Sequence, residues 1–196
     1  MPSCLFHYKK RIFPMLDAKL NATLDALIAK EGGYCNDPDD LGGETCWGVT
    51  VAEARLDGYT GPMTDLPQSR ARDIYRRKYW FGPRFSDVSA LSESVAEELF
   101  DTGVNMGIGK AGEFLQIALN AFNLRGTKYP DIAEDGDIGN KTLAALKAYL
   151  DWRGKEGETV LLRALNCQQG MRYLDISRGR QENETFTYGW FKERVA

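Results

Sequence analysis

Glu31 heads the run Glu31-Gly-Gly-Tyr-Cys-Asn-Asp-Pro-Asp-Asp-Leu-Gly-Gly-Glu-Thr45-Cys-Trp-Gly-Val-Thr50. Four further carboxylates (Asp37, Asp39, Asp40 and Glu44) and Thr45 follow it in a glycine-rich stretch. Carboxylates facing each other across a cleft can cleave an acetal. One protonates the leaving oxygen, and the other activates water or steadies the developing cation. A stretch of this composition can also be a plain turn or a calcium loop. The EF-hand alternative fails on register: Asn36, Asp37, Asp39 and Asp40 miss its alternating ligand positions, and Gly42-Gly43 misses its glycine.

Composition narrows the chemistry further. The 196 residues contain one histidine, His7, in an irregular N-terminal stretch. Zinc hydrolases recruit histidine from the folded domain, and Ser-His or Cys-His nucleophiles need it as a base. Cys4, Cys35, Cys46 and Cys167 lack the paired short spacings of a four-cysteine zinc site and are too sparse for a disulfide framework. No metal and no cofactor is therefore expected, and Cys35 and Cys46 read as free thiols. With 43% hydrophobic and 27% charged residues and a net charge of −3, the chain is globular in composition. It has no basic field for nucleic acid or anionic lipid.

The elements that must hold these acids are mostly helical. Leu16, Leu20, Leu24, Leu27 and Ile28 follow helical spacing and predict a buried face over Met15–Lys30, after a tail spanning residues 1–14. Gly32-Gly33 stops this helix and leaves Glu31 at its C-terminal edge. The helix dipole there disfavours a carboxylate charge and lifts its pKa, which suits a proton donor. A loop over 32–44 and a short extended piece at Thr45–Val49 follow, with Thr50 capping a helix over Val51–Leu56. Pro67 fits the first position of a helix whose inner face is Ala71, Ile74, Tyr75, Lys78 and Tyr79. Further helices run through Val95, Leu99 and Phe100, through Leu115, Leu119 and Phe122, through Leu143, Leu146 and Leu150, and from Glu158 to Ser177. Asp135-Gly-Asp137 reads as a turn before a helix rather than a ligand set. An aromatic tail, Phe186-Thr-Tyr-Gly-Trp-Phe191, closes the chain.

These segments resemble glycoside hydrolase family 108, the N-acetylmuramidases of phage endolysins and of bacterial secretion-associated muramidases. The resemblance rests on Glu31-Gly-Gly-Tyr34, on Asn36-Asp-Pro-Asp-Asp-Leu-Gly-Gly-Glu-Thr45 and on Trp47-Gly-Val-Thr50. It continues in Tyr75-Arg-Arg-Lys-Tyr-Trp80 and Phe100-Asp-Thr-Gly-Val-Asn-Met-Gly107. The C-terminal part is similar to that family's predicted peptidoglycan domain through Leu115-Gln-Ile-Ala-Leu-Asn120, Asp135-Gly-Asp-Ile-Gly139 with Thr142, and Gly189-Trp-Phe-Lys-Glu-Arg-Val195. Cys35 and Cys46 depart from the motif. The resemblance implies a mainly α, lysozyme-like fold, with a short β-like segment after the catalytic helix and a packed helical C-terminal unit. The implied organisation is a tail at 1–14, a muramidase domain at 15–108 and a peptidoglycan-binding domain at 109–196.

The resemblance also implies hydrolysis of the β-1,4 bond between N-acetylmuramic acid and N-acetylglucosamine. Glu31 is then the general acid, with Asp40 and Thr45 assisting. Asp37 is a matched loop position that can equally staple the loop beside Pro38. Tyr34, Trp47 and Asn105 are the candidate sugar contacts, since aromatic faces stack on pyranoses and an amide reads an N-acetyl group. The partner is peptidoglycan. The N-terminus has the wrong charge order for a signal peptide, and no stretch reaches the length of a membrane span. The expectation is a monomer made in the cytoplasm, released by a holin or a secretion system, and acting on wall or periplasmic peptidoglycan.

Overall fold

The periodic apolar face of the first helix is where the fold begins. The structure is a computed structural model that describes residues 14–36 and 44–195, without the side chains of residues 14–17, 19, 30 and 31. Helix α1 spans Pro14–Glu31 and buries Leu20, Leu24 and Ile28 to within 1% of full burial. Pro14 opens this helix rather than ending a tail, as its fixed φ and missing N–H favour. Leu16 lies outside the described side chains.

Three two-residue strands follow: β1 (Tyr34–Cys35), β2 (Thr45–Cys46) and β3 (Val49–Thr50). They form an antiparallel sheet in the order β1-β2-β3. Helix α2 (Val51–Leu56) opens with Thr50 as its cap. The Thr50 hydroxyl accepts from the Glu53 backbone N–H at 3.2 Å, and Glu53 Oε2 accepts from the Thr50 N–H at 3.1 Å. This reciprocal capping box fixes the direction in which the sheet leads into the helix. Helix α3 spans Gln68–Arg76. Pro67 lies one residue before it, its carbonyl accepting from the N–H groups of Arg70 and Ala71.

The described chain divides into two compact units between Ile74 and Tyr75. In the continuation of α3 the sequence reading needs one correction. A regular helical period places Lys78 and Tyr79 inward, yet Lys78 is exposed and Trp80 is buried. Residues Arg77–Phe81 form a π turn, whose wider spacing carries the buried face from Tyr75 on to Trp80. Trp80 then meets Phe100 edge-on at 5.8 Å.

The second unit continues with α4 (Phe85–Ser89), α5 (Glu93–Met106), α6 (Ile108–Phe122), α7 (Asn140–Gly179) and α8 (Glu184–Arg194). Helices α5, α6 and α7 pack on one another and supply most of its core. Gly154 breaks α7 at φ 60°, ψ −149°, separating the two helices read from the sequence. That backbone region is essentially closed to residues with a Cβ. The aromatic tail is helical: Trp190 of α8 stacks on Tyr173 at 5.0 Å and closes this end of the unit. No helix among the described residues is long and apolar enough to cross a membrane.

One buried amide organises the connection between α6 and α7. Gln116 is 1% exposed. It donates to Asp135 Oδ1 at 2.8 Å and to the Asp137 carbonyl at 2.9 Å, and it accepts from the Gly136 N–H at 2.7 Å. Gly136 has a positive φ of 78° and sits so near Gly109 that a Cβ would lie 2.4 Å from its carbonyl oxygen. The Asp-Gly-Asp segment is thus a turn clamped by Gln116, as its composition suggested. The same amide holds the Asp135 carboxyl below the ordinary carboxylate range. That contribution is present above the ordinary pKa and is lost as pH falls through the lowered one. Gln116→Leu should therefore destabilise the protein by about 3–4 kcal/mol, since it strands several buried polar groups at once. Urea unfolding of the full chain measures this. An unchanged midpoint would remove the clamp argument.

Candidate active site

Glu31 is the last residue of α1, as the glycine pair after it requires. Its side chain lies outside the described ones, as do Asp37, Asp39 and Asp40 entirely, so the proposed acid pair is defined by its flanks. Chain leaving α1 enters β1 at Tyr34, and chain returning from the acidic loop enters β2 at Thr45. The register pairs Cys35 with Thr45 and Tyr34 with Cys46. Thr45 is therefore brought back beside the segment that leaves Glu31.

The register also sorts side chains by face, because successive residues of a strand point to opposite sides. Cys35, Thr45 and Thr50 form one cross-strand row, and Tyr34, Cys46 and Val49 the other. Cys46 and Val49 are buried, so the Thr45 hydroxyl belongs to the more open face of the sheet. The two thiols consequently project from opposite faces, and both are free. Burial pushes the Cys46 thiol above its ordinary pKa and leaves it unreactive.

Tyr34 is 43% exposed, and its hydroxyl donates to Glu44 Oε1 at 3.2 Å. Partial desolvation, and then the Glu44 carboxylate, push this phenol above its ordinary pKa, so it remains a donor at neutral pH. Spacing alone leaves Glu44 either in the cleft or on the exposed side of an extended segment, the latter slightly favoured. It is partly buried and bonded to a candidate sugar contact. Alternation signals this burial, since Glu44 lies two residues before buried Cys46.

Trp47 has a structural task. With Gly48 it makes the two-residue turn between β2 and β3, and both have positive φ, 55° and 72°. Asn or Gly normally fills such a position. The indole N–H donates to the Leu66 carbonyl at 2.9 Å and leaves the ring half-buried.

Asn105 belongs to the second unit, on the last turn of α5, and is exposed. Its amide N–H donates to the Asp101 carbonyl at 2.6 Å, which orients the group. Asp101 itself carries more than sequence reading assigned. It accepts from Arg194 of α8 at 2.6 Å and from Gln169 of α7 at 3.3 Å. The motif Phe100-Asp-Thr-Gly-Val-Asn105 is thus anchored to residues far along the chain.

A mainly helical chain with a short antiparallel sheet beyond a helix that ends in an acid defines the class: a lysozyme-like protein. Residues 24–107 match the family Glycosyl hydrolase 108, and residues 110–195 match the Predicted Peptidoglycan domain. Residues 24–107 are thus a glycosyl hydrolase 108 domain and residues 110–195 a peptidoglycan domain, and the chain is a glycosidase that acts on peptidoglycan. Among solved structures it is similar to SagA of Brucella abortus, with 25% identity and a TM-score of 0.52 over 90% of this chain and 89% of that one. No curated protein matches it.

Proposed function

We propose that this chain is an endo-acting N-acetylmuramidase that hydrolyses the β-1,4 bond between N-acetylmuramic acid and N-acetylglucosamine. The reading rests on the family match together with the return of β2 alongside the segment that leaves Glu31. Glu31 protonates the glycosidic oxygen. Asp40, with the Thr45 hydroxyl, positions water or steadies the oxocarbenium-like transition state. Tyr34, Trp47 and Asn105 contact the sugars, and Asp37 holds the loop or a substrate hydroxyl. The proposal includes a monomer made inside the cell and freed by a holin or a secretion system to reach the wall.

Product analysis tests the bond and the outcome together. Digestion of purified peptidoglycan should release muropeptides ending in reducing N-acetylmuramic acid, measured by borohydride reduction and mass spectrometry. Reducing N-acetylglucosamine would move the cut to the other bond. Anhydro-muramic ends would make the enzyme a lytic transglycosylase.

A further inference from the structure

Within the span matched by the peptidoglycan domain lies a groove of about 320 Å³. It is lined by Phe122, the last residue of α6, by Leu124 just beyond that helix, and by Tyr149, Arg153, Glu156 and Val160. The break of α7 at Gly154 gives it shape, turning the chain between Arg153 and Glu156.

The lining is unusual in three respects. Leu124 is 49% exposed and has φ 53°, a left-handed conformation that disfavours a branched side chain. An exposed leucine in that conformation benefits neither the core nor the turn, and such strain concentrates at ligand sites. Arg153 and Glu156 are both exposed, and neither makes an ion pair among the described residues. The Arg153 guanidinium is nonetheless held in place, 3.8 Å over the ring of Trp152.

We infer that this groove seats the peptide stem of peptidoglycan rather than its glycan, an inference that rests on the peptidoglycan reading above. A pyranose calls for an open aromatic face, and the groove offers none. Tyr149 is 2% exposed with its hydroxyl bonded to the Gly157 carbonyl, and Phe122 is stacked on it at 5.8 Å. A stem peptide instead brings free carboxylates for Arg153, an amine for Glu156, and alanine methyls for Leu124 and Val160. The groove would hold the enzyme on the wall by its cross-linkable peptides while the acids around Glu31 cut the glycan.

The test is calorimetric titration of the full chain with the tetrapeptide L-alanyl-γ-D-glutamyl-meso-diaminopimelyl-D-alanine and, separately, with glycan strands stripped of peptide. Wild type should bind the tetrapeptide, Arg153→Ala at least tenfold more weakly, and Glu156→Gln severalfold more weakly. Leu124→Gly relieves the left-handed strain, so it should bind more weakly at an unchanged or higher Tm. Absence of tetrapeptide binding by wild type overturns the inference, as does wild-type affinity in both Arg153→Ala and Leu124→Gly. So does a loss confined to the stripped glycan. Sacculus cleavage without tetrapeptide binding removes this inference and spares the muramidase reading. Tetrapeptide binding without cleavage does the reverse.

Discussion

Glu31→Gln is expected to slow peptidoglycan hydrolysis by about 10²–10⁴-fold, the usual worth of a positioned general acid. The substitution keeps the size and shape of the side chain and its helix-end position, but an amide has no proton to give the departing sugar oxygen. The helix terminus supplies the second part of the argument. A carboxylate charge at the C-terminal end of an 18-residue helix meets the negative end of the dipole, which disfavours it. Glutamine suffers no such penalty, so the variant should fold at least as well as wild type and still bind sacculi. Turbidity loss of purified sacculi and muropeptide release measure the rate, and co-sedimentation measures the binding. Undiminished clearing by Glu31→Gln would remove the acid assignment and favour a non-catalytic, wall-binding role.

What the sequence made legible here, and what it hid, follows from the range of each interaction. Local signals were readable: apolar spacing over Leu20, Leu24 and Ile28, the glycine stop after Glu31, and the Thr50 cap all act within a few residues. The Lys78 assignment failed because a π turn adds a residue to the period, and nothing in Arg77–Phe81 announces it. The place of Glu44 stayed open because its partner Tyr34 is reached only once the strand register is known. Asp101 was passed over for the same reason, its partners Gln169 and Arg194 lying far along the chain. The acidic loop offers a chemistry only through residue type, and that reading is carried by the proposal above. Which of its carboxylates faces Glu31 depends on a loop conformation that spacing does not encode.

A fragment ending at residue 108 is expected not to fold, although it contains the whole glycosyl hydrolase 108 match. The reason is α5. Val95, Ala96, Leu99 and Phe100 are each at most 3% exposed, and the helix that carries them packs on α6 and α7. Losing burial of Val95, Leu99 and Phe100 would cost roughly 5–9 kcal/mol in full. Even half of that is a large share of the 5–15 kcal/mol that typically stabilises a domain. Polar ties go as well: Asp101 loses Arg194 and Gln169, and Glu98 loses Asn166. Far-UV circular dichroism and thermal melting should show little helix and no cooperative transition for residues 1–108, whereas residues 75–196, which form a compact unit of their own, should melt cooperatively. A cooperative melt with wild-type cleavage by the shorter fragment would refute this. The consequence concerns the division of labour. If α5 cannot stand without α6 and α7, the peptidoglycan domain is structurally required by the segment that bears Asn105. Its binding role must then be tested by point substitution at Arg153 rather than by deletion, because deletion removes both roles together.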